Sequence, residues 1–188
     1  DCTDWDWLVT RAEACGQVVA VTDGVVKVAT PALSGPAALK VTWGTDVIDM
    51  DLSCDALGQD DGVDVSSWNA ADLAVAAAQA VRPPAPAQGS LTGEKAAQAL
   101  GFKKSTLVFP AGLQAGEAKA WASAEAARSQ WGLLRGQLRV QGVGAIGLLD
   151  VVQIDGVAQA FAGQALVTGL CHRIAGGDWT TDLQCGLA

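Results

Sequence analysis

The sequence predicts an α+β fold that is mainly β: a small antiparallel β-barrel or sandwich with a flanking alanine-rich helix, plus a smaller helix–hairpin subdomain. A helical stripe near the start of the chain precedes two β-branched runs that flank Asp23-Gly24. Residues 116–131 are rich in alanine at helical spacing. Beyond Gly132, apolar and polar residues alternate as they do in strands. A helix followed by an antiparallel meander is typical of small barrels and sandwiches.

The composition limits the classes of function. The chain has 188 residues, of which 50% are hydrophobic and 17% charged, which excludes a wholly disordered protein. Its net charge is −8, and its largest basic cluster is the pair Lys103-Lys104. Nucleic-acid recognition is therefore not expected, because it requires a basic surface. No apolar run reaches the ~18–20 residues of a membrane span, so we expect no membrane insertion.

The five cysteines are widely spaced and contain no C-x-x-C pair. An odd number at this spacing fits neither a disulfide framework nor a zinc site. We interpret them as reduced, mostly buried thiols of a protein made in a cytoplasm.

Residues 1–35 are predicted to form the helix–hairpin subdomain. Thr3 can cap the helix, and Gly16 follows its last turn. We expect Trp5 and Leu8, on the apolar stripe, to dock this helix. The hairpin turns at Asp23-Gly24, because this dipeptide accepts the positive φ angles of a two-residue turn. The apolar stripe comprises Trp5, Leu8, Val9, Ala12 and Cys15.

Residues 36–69 and 113–188 are predicted to form the barrel. An alternating run that begins at Leu39 is interrupted near Gly44. The helix and the later strands follow one another along the chain. The last hairpin turns at Gly176-Gly177, which places Cys171 opposite Asp182 and out of register with Cys185. The predicted later elements are a helix at 116–131 and strands at 134–141, 148–154, 160–174 and 179–187.

Residues 70–112 are predicted to be a loop or linker rich in Ala, Pro and Gly. The run from Arg82 to Pro86 contains three prolines. Proline at this density cannot continue a helix or a central strand. A long irregular segment in a compact protein usually indicates mobility or contact with a partner.

Two candidate catalytic patterns have simpler structural explanations. His172 is the only histidine, so a Ser-His-Asp triad would have to include it. It lies in the middle of a predicted strand, and the chain has no G-x-S-x-G elbow, so we interpret it as a polar residue on a sheet face. The carboxylates of Asp46, Asp49 and Asp51 could serve in glycoside cleavage, but solvated charges are the simpler interpretation.

Two binding patterns also have simpler structural explanations. Residues 60–64 hold three aspartates, which suggests calcium, but they lack the twelve-residue frame of an EF-hand, and a solvated acidic turn is favoured. Seven tryptophans could stack on sugar rings. Because Trp5, Trp43 and Trp121 fall on predicted apolar faces, core packing is the simpler explanation. We assign no catalytic, cofactor-binding or metal-binding residue.

Motifs at both ends of the chain occur in an order known from one protein family. Near the C-terminus, a strand with His172 is followed by a turn at Gly177 and then by Trp179-Thr180-Thr181. Trp43-Gly44 lies between the two ends. The N-terminal motif comprises Asp4, Trp5, Trp7, Leu8, Arg11, Ala12, Glu13 and Gly16. Together these motifs resemble the VgrG and phage late control protein D family of baseplate hubs.

This resemblance implies a non-enzymatic, structural protein without cofactors. In that family, barrels of tail-tube-like type form a trimeric hub with pseudo-sixfold symmetry, which joins the inner tube to a spike. The implied partners are two further copies of the protein, the inner tube protein, a spike domain or spike protein, and a translocated effector. The chain would be an inner segment of a longer protein. It would assemble in the bacterial cytoplasm and end in a phage or prophage tail, or in a type VI-like secretion or contractile injection system.

The resemblance also assigns structural roles to the motif residues. Trp179, Thr180 and Thr181 would fix the last hairpin. The acidic surplus of the chain would give a channel a lining that repels acidic cargo. Two alternatives stay open: a carbohydrate-binding or glycoside-cleaving β-domain that uses Trp and Asp residues, and a surface domain stabilised by calcium.

Overall fold

A computed structural model describes residues 2–31, 35–60, 62–80, 91–101, 105–109 and 112–186. The fold is mainly β, as predicted. In chain order its elements are α1 (Asp4–Ala14), β1 (Val18–Thr22), β2 (Val25–Ala29), β3 (Leu39–Thr42), β4 (Val47–Cys54), β5 (Val63–Asn69), β6 (Ala74–Gln79), α2 (Gly93–Ala99), β7 (Ser105–Phe109), α3 (Ala115–Trp131), β8 (Leu134–Gln141), β9 (Val151–Asp155), β10 (Gly163–Ala175) and β11 (Asp178–Cys185).

The described residues divide into two compact units. The first unit takes its residues from 1–30, 59–83 and 93–130. It contains α1, the β1–β2 hairpin, the three strands β5, β6 and β7, and the helices α2 and α3. The second unit takes its residues from 31–58, 84–92 and 131–188 and contains a six-stranded sheet.

In the first unit, α1 begins at the predicted cap. The Thr3 hydroxyl accepts the backbone N–H of Asp6 at 3.1 Å, and the Asp6 carboxylate accepts in return from Thr3. The predicted docking by Trp5 is wrong, because 48% of that side chain is exposed. The helix contacts its unit near its C-terminal end, where Ala12 is buried and a Cβ at Gly16, two residues after the helix, would touch Ala124.

The predicted hairpin of β1 and β2 is confirmed. Asp23 and Gly24 form its turn with φ angles of 52° and 77°. Val25 and Val26 point to opposite faces of the two-stranded sheet and are both exposed. Neither face of this hairpin is therefore fully covered.

The predicted loop at 70–112 needs correction where the structure describes it. Strand β5 lies at the centre of a three-stranded sheet, with β6 antiparallel on one side and β7 parallel on the other. Strand β5 therefore belongs to this sheet and not to the barrel. The segment from Ala74 to Gln79 has no β-branched pattern, so its strand conformation comes from pairing with β5. The proline run at 82–86 lies outside the described residues.

Helix α3 begins one residue before the prediction and ends at the predicted Trp131. Its alanines form a flat face, since Ala118, Ala122 and Ala126 are completely buried. This face packs against Val63 and Val65 of β5. The sequence predicts that this helix packs against the barrel. It packs against the three-stranded sheet, because a face of small side chains allows an equally close approach to either surface.

The second unit is a six-stranded sheet in the order β3-β9-β10-β11-β8-β4. Strand β8 has the predicted bounds. Strands β9 and β10 each begin three residues later than predicted. The predicted register of the last hairpin is confirmed, because Cys171 lies opposite Asp182. One pairing differs from a wholly antiparallel sheet: β3 and β9 run parallel. Strands so far apart in sequence can meet in either direction.

The six strands curl into a half-barrel. The two edge strands, β3 and β4, are consecutive in sequence and joined by residues 43–46 alone. Six flat strands would place their edges ~24 Å apart, whereas this link spans at most ~18 Å when extended. The link also turns back, because the N–H of Asp46 donates to the carbonyl of Thr42 at 3.0 Å. The edges therefore approach each other at this end.

The core of the second unit lies on one face of the curled sheet. Its residues alternate along β8 and β11 with polar residues that face the other way. The completely or almost completely buried members include Leu138, Val140, Val152, Ile154, Val167 and Leu183.

The cysteines are unpaired but differ from the prediction in burial. Only Cys185 is buried, whereas Cys2, Cys15 and Cys171 are exposed. Cys2 and Cys15 flank α1, where the helix ends reach solvent. In the part of the chain that the structure describes, no helix is both long enough and apolar enough to cross a membrane.

Candidate functional site

The C-terminal motif residues meet at one corner of the half-barrel. The hydroxyl of Thr181 accepts the backbone N–H of Val143 at 3.1 Å and lies 3.0 Å from Nδ1 of His172. The indole of Trp179 lies directly over Gly142, so that any side chain at position 142 would overlap it. The rings of His172 and Trp179 meet edge to face, with their centroids 5.9 Å apart. These contacts fix the β10–β11 hairpin to the residues that follow β8.

This corner is not arranged as a nucleophilic site. Thr181 is 0% exposed, and its hydroxyl is held by the backbone of Val143, so that a substrate cannot reach it. Alternation along β11 places the neighbouring Asp182 on the opposite face of the sheet. Asp182 is therefore not in line with His172 and this hydroxyl, as the carboxylate of a triad would be. The arrangement agrees with the interpretation of His172 as a polar residue on a sheet face.

The other motif residues lie at separate places. Trp43 and Gly44 form the link between the edge strands, where Gly44 has a φ of 85° and Trp43 is exposed. Gly177 supplies the hairpin turn with a φ of 91°. Thr180 lies opposite Arg173. The N-terminal motif belongs to the other unit, where it forms α1 and the turn that follows it: Asp4, Trp5, Trp7, Leu8, Arg11, Ala12, Glu13 and Gly16.

A charged cluster that the sequence analysis missed lies on the polar face of the half-barrel. Arg139 donates from Nε to Asp182 Oδ1 at 2.6 Å and from Nη2 to Oδ2 at 3.1 Å. Arg173 donates to the same carboxylate at 2.7 Å. The hydrogen bond from Arg139 is the main cause that lowers the pKa of Asp182, and it also raises the pKa of Arg139. The alternation of polar residues along these strands is visible in the sequence. It identifies the charged cluster only when the pairing of β8 with β11 is known.

The aspartates considered for acid–base chemistry have other contacts. Asp46 accepts the backbone N–H of Thr42 at 3.0 Å, and Asp49 accepts that of Met50 at the same distance. Asp49 and Asp51 line a groove beside Arg139, on one strand face as predicted. The backbone contacts of Asp46 and Asp49 agree with the interpretation of these side chains as structural.

The calcium interpretation gains no support from the described residues. Asp61 lies outside them, and Asp64 is part of β5, opposite Gln79. Among the residues that the structure does describe, no group of three or more His, Cys, Asp or Glu side chains could hold a metal ion.

A cavity of about 220 Å³ lies between α1, β7 and α3 in the first unit. Trp121 and Phe109 form its floor, with ring centroids 3.9 Å apart and planes tilted by 52°. Arg128 stands at its rim and contacts Glu13 Oε2 at 2.6 Å. The sequence gives no indication of this cavity, since its residues come from three separate segments.

Several large apolar side chains are exposed, and five of the seven tryptophans are among them, so core packing is wrong for Trp5 and Trp43. Trp121, by contrast, is half-buried. The exposed apolar side chains of α1 and of both faces of the β1–β2 hairpin are together called the hairpin surface. It comprises Trp5 and Trp7 of α1 with Val21, Val25, Val26 and Val28 of the β1–β2 hairpin.

Comparison with solved structures identifies a phage-tail-type fold. A tail protein of Neisseria meningitidis MC58 matches with a TM-score of 0.63 at 13% identity, over 99% of this chain and 56% of that one. The 43 kDa tail protein of prophage MuSo2 from Shewanella oneidensis matches with a TM-score of 0.65 at 11% identity, over 97% and 53%. A chain of a native gene transfer agent virion gives 0.50 at 16% identity, over 95% and 37%.

The chain thus spans about half the length of the two tail proteins that it matches. A family model described as the Alg8 N-terminal domain matches residues 1–176. No curated protein matches the sequence.

Proposed function

We propose that this chain, which belongs to the family described as the Alg8 N-terminal domain, is a non-enzymatic structural component of a tail baseplate hub. In this role it joins the inner tube to the spike. One observation carries the proposal: nearly the whole chain shares its fold with two proteins described as tail proteins. Because it spans about half of their length, we propose that it is one segment of a longer hub protein.

The hairpin surface supports a role in assembly. A two-stranded hairpin is at best marginally stable by itself in water. Here Val25 is 65% exposed, and Val26 on the other face is 48% exposed. Exposed apolar side chains on both faces of a hairpin are available for contacts with other proteins. A neighbouring subunit would cover them and stabilise the hairpin.

The C-terminal motif supports a structural role, because its side chains are engaged in contacts within the fold. Trp179, Thr181 and His172 contact one another or the backbone of residues 142 and 143, and their contacts hold the hairpin in place.

The resemblance of this motif to VgrG and late control D proteins extends the proposal. Three copies form the hub in a phage tail or a type VI-like secretion or injection system, with the inner tube, the spike and a translocated effector as partners.

The proposal is tested on assembled particles. The gene in the producing bacterium is given an epitope tag, tail particles are purified, and gold-labelled antibody is located by electron microscopy. We expect label at the end of the tail where the tube meets the spike. Label spread along the tube, or particles without the protein, would overturn the proposal.

Light scattering at several concentrations tests the trimer separately. The full-length protein is expected to have the mass of three chains, and the chain described here to approach that mass as its concentration rises. A full-length protein that stays monomeric at all concentrations contradicts the trimer.

The exposed tryptophans favour carbohydrate binding as a second candidate. Trp5, Trp7 and Trp68 present indole faces of the kind that stack on sugars. A glycan array with the purified chain distinguishes the candidates, because a structural hub is expected to bind no glycan. Saturable binding that is lost on Trp7→Ala but kept on Trp131→Phe, a change at a buried indole, would support the second candidate.

A further inference from the structure

We propose that the cavity between α1, β7 and α3 is a docking site for a lysine side chain on a basic segment of a partner protein. All of its lining residues belong to the first unit. The proposal does not depend on the hub function, because it follows from the shape and charge of this cavity and from the net charge of the chain.

The floor of the cavity suits an aliphatic chain. Leu107 and Phe109 of β7 and Trp121 of α3 line it with apolar surface. Trp121, Ala124 and Arg128 are spaced by three and four residues, so they share one face of α3. The methylene stem of a lysine can cover apolar surface of this kind while its ammonium group stays at the rim.

The rim carries an excess negative charge. Two carboxylates, those of Glu13 and Glu125, face the single guanidinium of Arg128. Arg128 contacts Glu13 at 2.6 Å, but its nearest nitrogen is 4.0 Å from Glu125. The second distance is too long for a hydrogen bond. The Glu125 carboxylate is therefore the one available to attract another cation.

The size and charge of the cavity favour lysine over other ligands. Its volume of about 220 Å³ is smaller than the ~300–1,000 Å³ of sites for drug-sized molecules, so it suits a single side chain. The net charge of −8 attracts basic segments to the protein and repels acidic ones.

The test follows the indole N–H signal of Trp121 by NMR in the ¹⁵N-labelled chain. Acetyl-Gly-Lys-Gly-amide is titrated in, and acetyl-Gly-Gln-Gly-amide serves as the neutral probe. We expect the lysine peptide to shift the Trp121 signal saturably, whereas the signals of Trp43 and Trp179 stay in place. The glutamine peptide should cause no saturable shift. Equal responses to both peptides, or no response of Trp121, would overturn the proposal.

Variants test whether the Glu125 carboxylate attracts the lysine peptide. Glu125→Gln is expected to weaken binding of the lysine peptide about two- to fivefold, as for one partly exposed ion pair. Glu94→Gln removes the same charge from α2, outside the cavity, and should leave the affinity unchanged. Thr10→Lys places an ammonium group at the rim and should abolish binding. If Glu125→Gln and Glu94→Gln weaken binding equally, the effect is only one of net charge and the site is disproved.

Discussion

Arg139 and Asp182 lie directly opposite each other on β8 and β11 and are joined by two hydrogen bonds, of 2.6 and 3.1 Å. Arg173 approaches the same carboxylate from β10, on the other side of β11. A single carboxylate thus links three adjacent strands on the polar face of the half-barrel. Bidentate pairs of this kind fix geometry as well as adding energy.

Removing the Asp182 charge should destabilise the protein in a pH-dependent way. Because the pKa of Asp182 is lowered in the folded state, chiefly by Arg139, its contribution is present above pH ~4 and is lost as the pH falls through the lowered value. We expect Asp182→Asn to reduce the free energy of unfolding by about 1 kcal/mol at pH 7 in urea titrations. The difference from the wild type should shrink in acid. Asp178→Asn, at the exposed start of β11, is the control and should have little effect. A loss for Asp182→Asn that stays constant down to pH 2 would contradict this explanation.

A side chain at position 142 should disturb the C-terminal corner. A Cβ there overlaps the indole of Trp179, so Gly142→Ala is expected to cost about 1–3 kcal/mol of unfolding free energy. Gly144→Ala is the matched control, since its Cβ would lie 3.7 Å from the same indole, an ordinary contact. Thermal and urea unfolding measure both. If the two alanine variants are equally stable, the indole does not lie over Gly142 as described.

The hairpin surface should matter for assembly and not for folding. Val25→Lys changes an exposed position, so the free energy of unfolding should change by less than ~0.5 kcal/mol. Incorporation of the full-length protein into tail particles is expected to fall sharply, because a buried lysine without a partner is costly at an interface. Leu57→Lys, at an exposed position after β4, is the control. Normal incorporation of the Val25 variant would exclude the hairpin from the interface.

The cysteines should differ in their reaction with thiol reagents. Burial raises the pKa of Cys185 to about 12, so little thiolate forms at pH 8 and the reagent has no access. Cys2, Cys15 and Cys171 are exposed and should react first, followed by Cys54, whose pKa burial also raises. Mass spectrometry after timed alkylation, with urea-unfolded protein as the reference, measures the order. Labelling of Cys185 as fast as Cys171 would contradict its burial.

Local signals in the sequence predicted the elements that depend on local interactions. Thr3 caps α1, Asp23-Gly24 turns the first hairpin, and Gly176-Gly177 sets the register that places Cys171 opposite Asp182. In each case the turn or cap residue itself determines the backbone conformation.

The remaining features depend on residues that are distant in sequence. The alanines of β6 become a strand only through pairing with β5. The contact between Arg139 and Asp182 requires the pairing of β8 with β11, across 43 residues of sequence. Apolar spacing predicts burial for Trp5 and Trp43, yet both are exposed, because spacing identifies an apolar face without specifying what covers it.

The short connection between the two edge strands limits how far the half-barrel can open. Residues 43–46 bind one end of β3 to one end of β4, so the curvature of the sheet depends on the length of four residues. Surface loops elsewhere tolerate insertions. An insertion between residues 43 and 46 would instead change the radius of the whole sheet. Every copy of the chain is therefore expected to have a sheet of the same radius.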